Sequence, residues 1–166
     1  MSVFEPVFQA LNKAGARYVV VGGLATVLHG YARLTADVDL AVDLAPEEAT
    51  KVIRALVTMG FRSQVPVSPE EFADKAVREK WIREKHMRAF SLVDPTNPMR
   101  VVDLLLKPEV PFEQLLARSQ EVMLSSTKVR IAAIDDLIAL KRQAGRPQDL
   151  ADIEQLETIR RRKGER

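Results

Sequence analysis

The sequence predicts an α/β (α+β) chain in which helices pack on a mixed, mostly antiparallel sheet. Three observations carry that expectation. Tyr18 to Val21 is a run of β-formers that breaks at Gly22-Gly23, and a second strand follows in which Asp37 and Asp39 alternate with Val38 and Leu40. Residues 87–93 and 99–106 alternate as strands around the turn chemistry of Asp94-Pro95-Thr96-Asn97-Pro98, which makes an antiparallel hairpin. Residues 46–60 carry an apolar stripe at helical spacing between two strands, as in an α/β layer, and two more helices finish the chain.

With 166 residues, 46% hydrophobic and 29% charged, the chain is long enough for one domain with a real core. It has no cysteine, which rules out a disulfide framework and a thiolate metal site. No apolar run approaches the roughly 20 residues of a membrane span and the N-terminus lacks a secretion pattern, so a soluble cytoplasmic protein is expected. The net charge of +2 and pI near 9.0 permit an anionic partner without demanding one.

Taken in order, Val3, Phe4, Val7, Phe8 and Leu11 recur at helical spacing with Pro6 tolerable in the first turn, so a helix precedes the first strand and covers the sheet. Leu24 to Leu28 reads as a short helix entered through the glycines. His29, at its end, reads as structural or solvated, with phosphate contact as the alternative. Pro46-Glu47-Glu48 opens a helix whose stripe is Ala49, Val52, Ile53, Leu56 and Val57, and Gly60 ends it. Residues 62–69 read as irregular, closed by Ser68-Pro69-Glu70-Glu71, a capping-box start for the next helix. That helix carries six basic residues, Lys75, Arg78, Lys80, Arg83, Lys85 and Arg88. Such a run reads as a solvated face or, if functional, as a landing site for an anion. Trp81 reads as a core anchor, with base stacking as the alternative. Beyond the hairpin come a short helix at Pro111 to Leu116, brief strands at 122–124 and 129–132, a helix from about Asp135 to Ala144, and a last helix from near Pro147. Asp135 and Asp136 read as caps and Arg160 to Arg166 as a frayed basic tail. Residues 1–132 form the expected core, with 133–166 a helical extension packed on it.

The chemistry gathers between Tyr18 and Asp43. Gly22 and Gly23 let the backbone turn sharply with nothing in the way of a ligand, and a helix entered there turns free N–H groups toward an anion. Arg33 and Thr35 lie in the connection that follows. In a strand Asp37 and Asp39 face one side, roughly 6 to 7 Å apart. Repulsion that close wants a cation, and Mg²⁺ held by carboxylates and substrate phosphates is the ordinary hard-oxygen solution. Asp103 interrupts Val101, Val102, Leu104, Leu105 and Leu106, where an unpaired carboxylate is expensive to bury. Metal coordination beside Asp37 and Asp39 explains it; an exposed sheet edge, or pairing with Arg100, is the alternative. A solvated edge is likewise the alternative for Asp37 and Asp39. The G-x-G-x-x-G fingerprint is absent, and a calcium loop starting at Asp37 fails because Val42 stands where glycine is needed.

Gly22-Gly23, thirteen intervening residues and then Asp37-Val38-Asp39-Leu40 resemble the signature of the nucleotidyltransferase superfamily, which includes polymerase β and the aminoglycoside and lincosamide nucleotidyltransferases. The Arg33-x-Thr35-x-Asp37-x-Asp39 form is similar to a small bacterial branch related to abortive-infection type nucleotidyltransferase toxins, and residues 136–153 resemble the same branch. The resemblance implies the nucleotidyltransferase fold and transfer of a nucleoside monophosphate from a nucleoside triphosphate, such as ATP, to a hydroxyl, with release of pyrophosphate. It implies Asp37, Asp39 and Asp103 as catalytic ligands of Mg²⁺, one ion or two, with Mn²⁺ as a substitute; Asp103 holds the second ion or acts as base. Gly22, Gly23, Arg33, Thr35 and Lys141 follow as nucleotide contacts, and Arg146 and Asp149 as phosphate or acceptor contacts. An Arg146 to Asp149 pair pinning the helix turn is the alternative. A small molecule, a transfer-RNA end and a protein hydroxyl are all compatible acceptors. A homodimer or a cognate partner protein is also compatible, and the rival function is a catalytically weak nucleotide binder such as one half of a toxin-antitoxin module.

Overall fold

In the computed structural model, which describes residues 3–164, the apolar run Tyr18–Val21 (β1) is buried throughout because it lies inside the sheet. The first helix, Glu5–Lys13 (α1), precedes it, and Gly22–Leu28 (α2), Asp37–Val42 (β2), Pro46–Thr58 (α3) and Arg62–Ser63 (β3) follow. Next come a 3₁₀ turn at Pro69–Ala73, Lys75–Lys85 (α4), Ala89–Asp94 (β4) and Asn97–Leu105 (β5). Phe112–Arg118 (α5), Gln120–Leu124 (β6), Thr127–Ile131 (β7), Ile134–Ala144 (α6) and Pro147–Gly164 (α7) complete the chain.

Among the described residues seven strands form one sheet in the order β3-β4-β5-β2-β1-β7-β6. Most neighbours run antiparallel, but β1 pairs with β7 and β2 with β5 in parallel. Period-two alternation then does the positioning. Val38 and Leu40 of β2 and Val102 and Leu104 of β5 are buried. They share a core with the stripes of α1 (Val7, Phe8, Leu11) and α3 (Ala49, Val52, Ile53, Leu56). Each such aliphatic side chain contributes about 1.5–3 kcal/mol on burial. Asp37, Asp39 and Asp103 consequently point to the opposite face, where α2 packs against α6.

Several local readings need correction. Residues 62–69 are not wholly irregular, since β3 adds a two-residue edge strand to β4. The Ser68 capping box forms, yet it starts the 3₁₀ turn; α4 begins afresh at Lys75, capped by the Asp74 carboxylate, which accepts from Ala76 and Val77. The basic run on α4 is not uniformly solvated. Arg78 is buried, donates to the Phe72 carbonyl oxygen at 2.6 Å and lies over the Phe72 ring, while Arg88 falls beyond the helix end. Asp135 and Asp136 are not caps. Asp136 is buried and takes hydrogen bonds from Gln114 and Arg118, and Arg160 pairs with Asp135. That last pair also shows Arg160 to Lys163 continuing α7 rather than fraying; residues 165–166 lie outside the described part. His29 is buried with Nε2 donating to the Ala132 carbonyl oxygen at 2.8 Å, a structural role. No helix among the described residues is long and apolar enough to cross a membrane.

Trp81 is a core anchor, stacked on Phe90 with centroids 5.0 Å apart, and Phe90 stacks in turn on Phe72. Trp81→Ala is expected to cost about 3–5 kcal/mol in urea unfolding. A loss under about 1 kcal/mol would be what surface substitutions show and would take Trp81 out of the core.

Candidate functional site

Parallel pairing of β2 with β5 sets Asp39 directly opposite Asp103, with Asp37 opposite Val101. Both strands are interior to the sheet, so none of the three aspartates lies on a sheet edge. Arg100 pairs with Asp94, not with Asp103. The Asp103 carboxylate instead accepts from the hydroxyl of Ser91, its partner on β4, and lies close enough to Asp39 for one carboxyl to donate to the other when protonated. Burial first, then the charges of Asp103 and Asp37, push the Asp39 carboxyl up to about 7, against the pull of Lys141 and Arg146. Asp103 is raised too, by burial and then by Asp37, with the Ser91 hydrogen bond opposing.

The glycine pair serves these carboxylates. Gly22 has φ +65°, and a Cβ built there would come within 2.0 Å of Asp39 Oδ2. Any side chain would drive Asp39 out of place. Gly23 does the same for the connection, since its Cβ would meet Thr35 Oγ1 at 2.7 Å and the Arg33 guanidinium at 2.8 Å. Thr35 donates to the Asp37 carbonyl oxygen at 3.3 Å, which ties the connection to the start of β2.

On the other side stands Asp152 of α7, fully buried, which the sequence did not single out. Its Oδ2 accepts from Arg33 Nη2 and from Lys141 Nζ, each at 2.8 Å, and its Oδ1 from Gln148 at 2.9 Å. Burial alone would push the Asp152 carboxyl up, but the bonds from Lys141, Gln148 and Arg33 outweigh it and hold the group below the usual carboxylate range. Asp149, also buried, is bonded by Arg146 through Nε at 2.7 Å, Nη2 at 3.2 Å and the backbone N–H at 3.1 Å. This is the pair that pins the α6–α7 turn. Lys141 lies 4.0 Å from Asp149 as well.

A cavity of about 450 Å³ opens onto this arrangement. At one end Gly22, Asp39, Asp103, Lys141, Arg146 and Asp149 converge on it; Gly23, Arg33, Thr35 and Asp37 do not line it. The donors fit a divalent, oxygen-loving ion, because two facing carboxylates with a third on the same strand face carry a negative charge that burial disfavours until a cation offsets it. Among the described residues no three His, Cys, Asp or Glu side chains are already gathered around one point. Asp39 and Asp103 therefore make the pair, with Asp37 one strand step away.

No family model matches the sequence, and the curated proteins give no match either. Solved structures do. The chain aligns with the crystal structure of ANT(2'')-Ia in complex with adenylyl-2''-tobramycin at TM-score 0.59 and 14% identity, over 96% of this chain and 93% of that one. It aligns with the lincomycin-bound lincosamide antibiotic adenylyltransferase LnuA at TM-score 0.60 and 15% identity, over 92% and 93%. An antigenic nucleotidyltransferase-like protein from Paracoccidioides brasiliensis aligns at TM-score 0.58 and 18% identity, over 93% and 73%. The chain thus has the fold of the nucleotidyltransferases.

Two outcomes follow from the charges. Folding raises the Asp39 pKa from 3.8 to about 7, so its contribution to stability is fully present below the unfolded value and is lost as pH rises through 7. In chelator, Asp39→Asn should match the unaltered protein near pH 4 and melt higher by pH 8, by several degrees at about 2–4 °C per kcal/mol. A variant that melts lower at pH 8 would contradict the buried-charge argument. Asp152→Ala leaves Lys141 and Arg33 without their buried counter-charge, and a loss of about 3–5 kcal/mol is expected in chemical unfolding.

Proposed function

We propose that this chain, built on the nucleotidyltransferase fold, is a Mg²⁺-dependent nucleotidyltransferase that moves a nucleoside monophosphate from a nucleoside triphosphate to a hydroxyl, with release of pyrophosphate. The register pair of Asp39 and Asp103, at the end of a cavity and cleared by Gly22, is the observation that carries the reading. ATP is the proposed donor, supported by the adenylyl product named with one neighbour and the adenylyltransferase named in another.

Asp39 and Asp103, with Asp37 one strand step away on the same face, would hold the ion, which when bound supplies charge neutralisation at the triphosphate. The acceptor oxygen forms its bond to the α-phosphorus as the bond from that phosphorus to the pyrophosphate oxygen breaks. The proton of the attacking hydroxyl goes to the Asp103 carboxylate, whose basicity is raised by burial and whose orientation is set by the Ser91 hydroxyl. Arg146, which lines the cavity beside the aspartates, is placed to offset charge on the departing pyrophosphate, since its side chain is 74% exposed although one face is tied to Asp149. Lys141 acts differently. Bonded to Asp152 and 96% buried, it contributes a fixed positive charge that acts on Asp39 rather than a mobile phosphate ligand.

Calorimetric titration of ATP, GTP, CTP and UTP with Mg²⁺ tests the reading. Binding led by ATP is expected, weakened at least about tenfold without Mg²⁺ or in the double variant Asp37→Ala with Asp39→Ala. With an acceptor in hand, Asp103→Asn should lower kcat by about 10²–10⁴. Affinity indifferent to both the ion and the two aspartates would remove the proposal.

A further inference from the structure

The far end of the same cavity has a different character from the aspartate end. On β5 Asp103 and Leu105 lie on one face, and Lys107 follows at the next alternate position; on β4 Ser91 and Ala89 pair with Asp103 and Leu105. The pairing runs on past both strands, because the Leu106 N–H donates to the Arg88 carbonyl oxygen at 3.0 Å. Each two-residue step is about 6–7 Å, so Lys107, two steps on from Asp103, stands at most about 13 Å from it along the backbone, while Arg88, opposite Leu106, reaches the cavity from the bend before β4. Between the two ends the floor is Met87, Ala89 and Leu105, and Ile82, Leu137 and Leu140 line the cavity over it. Among the described residues Arg88 bonds the carbonyl oxygen of Ala144 at 3.5 Å and Lys107 bonds nothing. The acids that line the cavity are Asp39, Asp103 and Asp149, all at the other end, and Asp149 is already engaged by Arg146.

We propose that the acceptor is a small molecule with an apolar body and an anionic group, a carboxylate or phosphate, seated with its hydroxyl at Asp103 and its anion between Arg88 and Lys107. This rests on the nucleotidyl-transfer reading for which end of the molecule reacts. The physical basis is separate from it. An apolar body buries surface against Leu105, Leu137 and Leu140, an anion gains charge-assisted hydrogen bonds from two cations that lack a carboxylate partner, and a polycation meets like charge with no acid to receive it.

The test uses the full chain saturated with Mg²⁺ and α,β-methylene-ATP, which binds without transferring. 2-Naphthyl phosphate, 2-naphthoate, 2-naphthalenemethanol and 2-naphthylmethylamine share one apolar body and differ in charge. Calorimetry is expected to show both anions bound at least about tenfold tighter than the alcohol, and the amine weakest. In the double variant Arg88→Gln with Lys107→Gln the anion preference should fall to about twofold, with the thermal midpoint and the affinity for α,β-methylene-ATP retained. Equal binding across the series, absence of binding, or a preference that survives the double variant would each overturn the proposal. Tighter binding of a short single-stranded RNA than of either anion would overturn it in favour of a nucleic-acid acceptor. Should α,β-methylene-ATP itself fail to bind, the nucleotidyl reading falls, and the same series run on nucleotide-free protein still decides whether the anionic subsite exists.

Discussion

Everything around the site follows from one constraint, two carboxylates set opposite one another by the parallel pairing of β2 and β5. Like charges facing across neighbouring strands destabilise a sheet, and burial makes this pair worse. The surroundings answer that repulsion at each point of contact. Ser91 hydrogen-bonds Asp103, the positive charges of Lys141 and Arg146 oppose the repulsion at Asp39, and Gly22 keeps the Asp39 carboxylate free of any steric demand from the start of α2. A sheet whose sole purpose was packing would place apolar residues at positions 39 and 103, as it does at 38, 40, 102 and 104.

Asp152 answers a second charge problem. Arg33 comes from the connection before β2, Lys141 from α6 and Asp152 from α7, so one buried carboxylate ties three separate segments together. Ion pairs of this depth return little net stability, because desolvation offsets most of the attraction. Their value here is geometric. They fix α6 and α7 against the connection before β2, and α6 forms part of the cavity wall.

What could be read from the sequence and what could not divide along the same physical line. Asp37, Asp39 and Asp103 stood out because each breaks an apolar strand, where a carboxylate costs most and therefore carries most information. The hairpin, the helix stripes and Trp81 in the core were legible from periodicity for a related reason. Asp152 was not, since α7 is rich in charged residues around most of its circumference and one buried acid leaves no mark in such a pattern. Arg78 was hidden in the same way among the other cations of α4. The two residues of β3 are too short to alternate. Gly22 and Gly23 were read as room for a phosphate, and the structure shows that they also make room for Asp39, Arg33 and Thr35. Sequence spacing identifies a position that must lack a side chain without saying which neighbour needs the space.

The strand that carries Asp103 also sets the character of the cavity beyond it. Asp103 and Leu105 share a face of β5 and Lys107 follows two residues on, so an acid, an apolar step and a cation succeed one another at a spacing set by the strand rise. A register slip of one residue between β4 and β5 would turn the acid into the core and the core leucines outward, at a cost the sheet cannot absorb. The buried residues Phe90, Leu92, Val102 and Leu104 therefore hold the distance between the aspartate end and the basic end of the cavity, although none of them lines it. Packing on one face of the sheet sets the length of molecule that fits on the other.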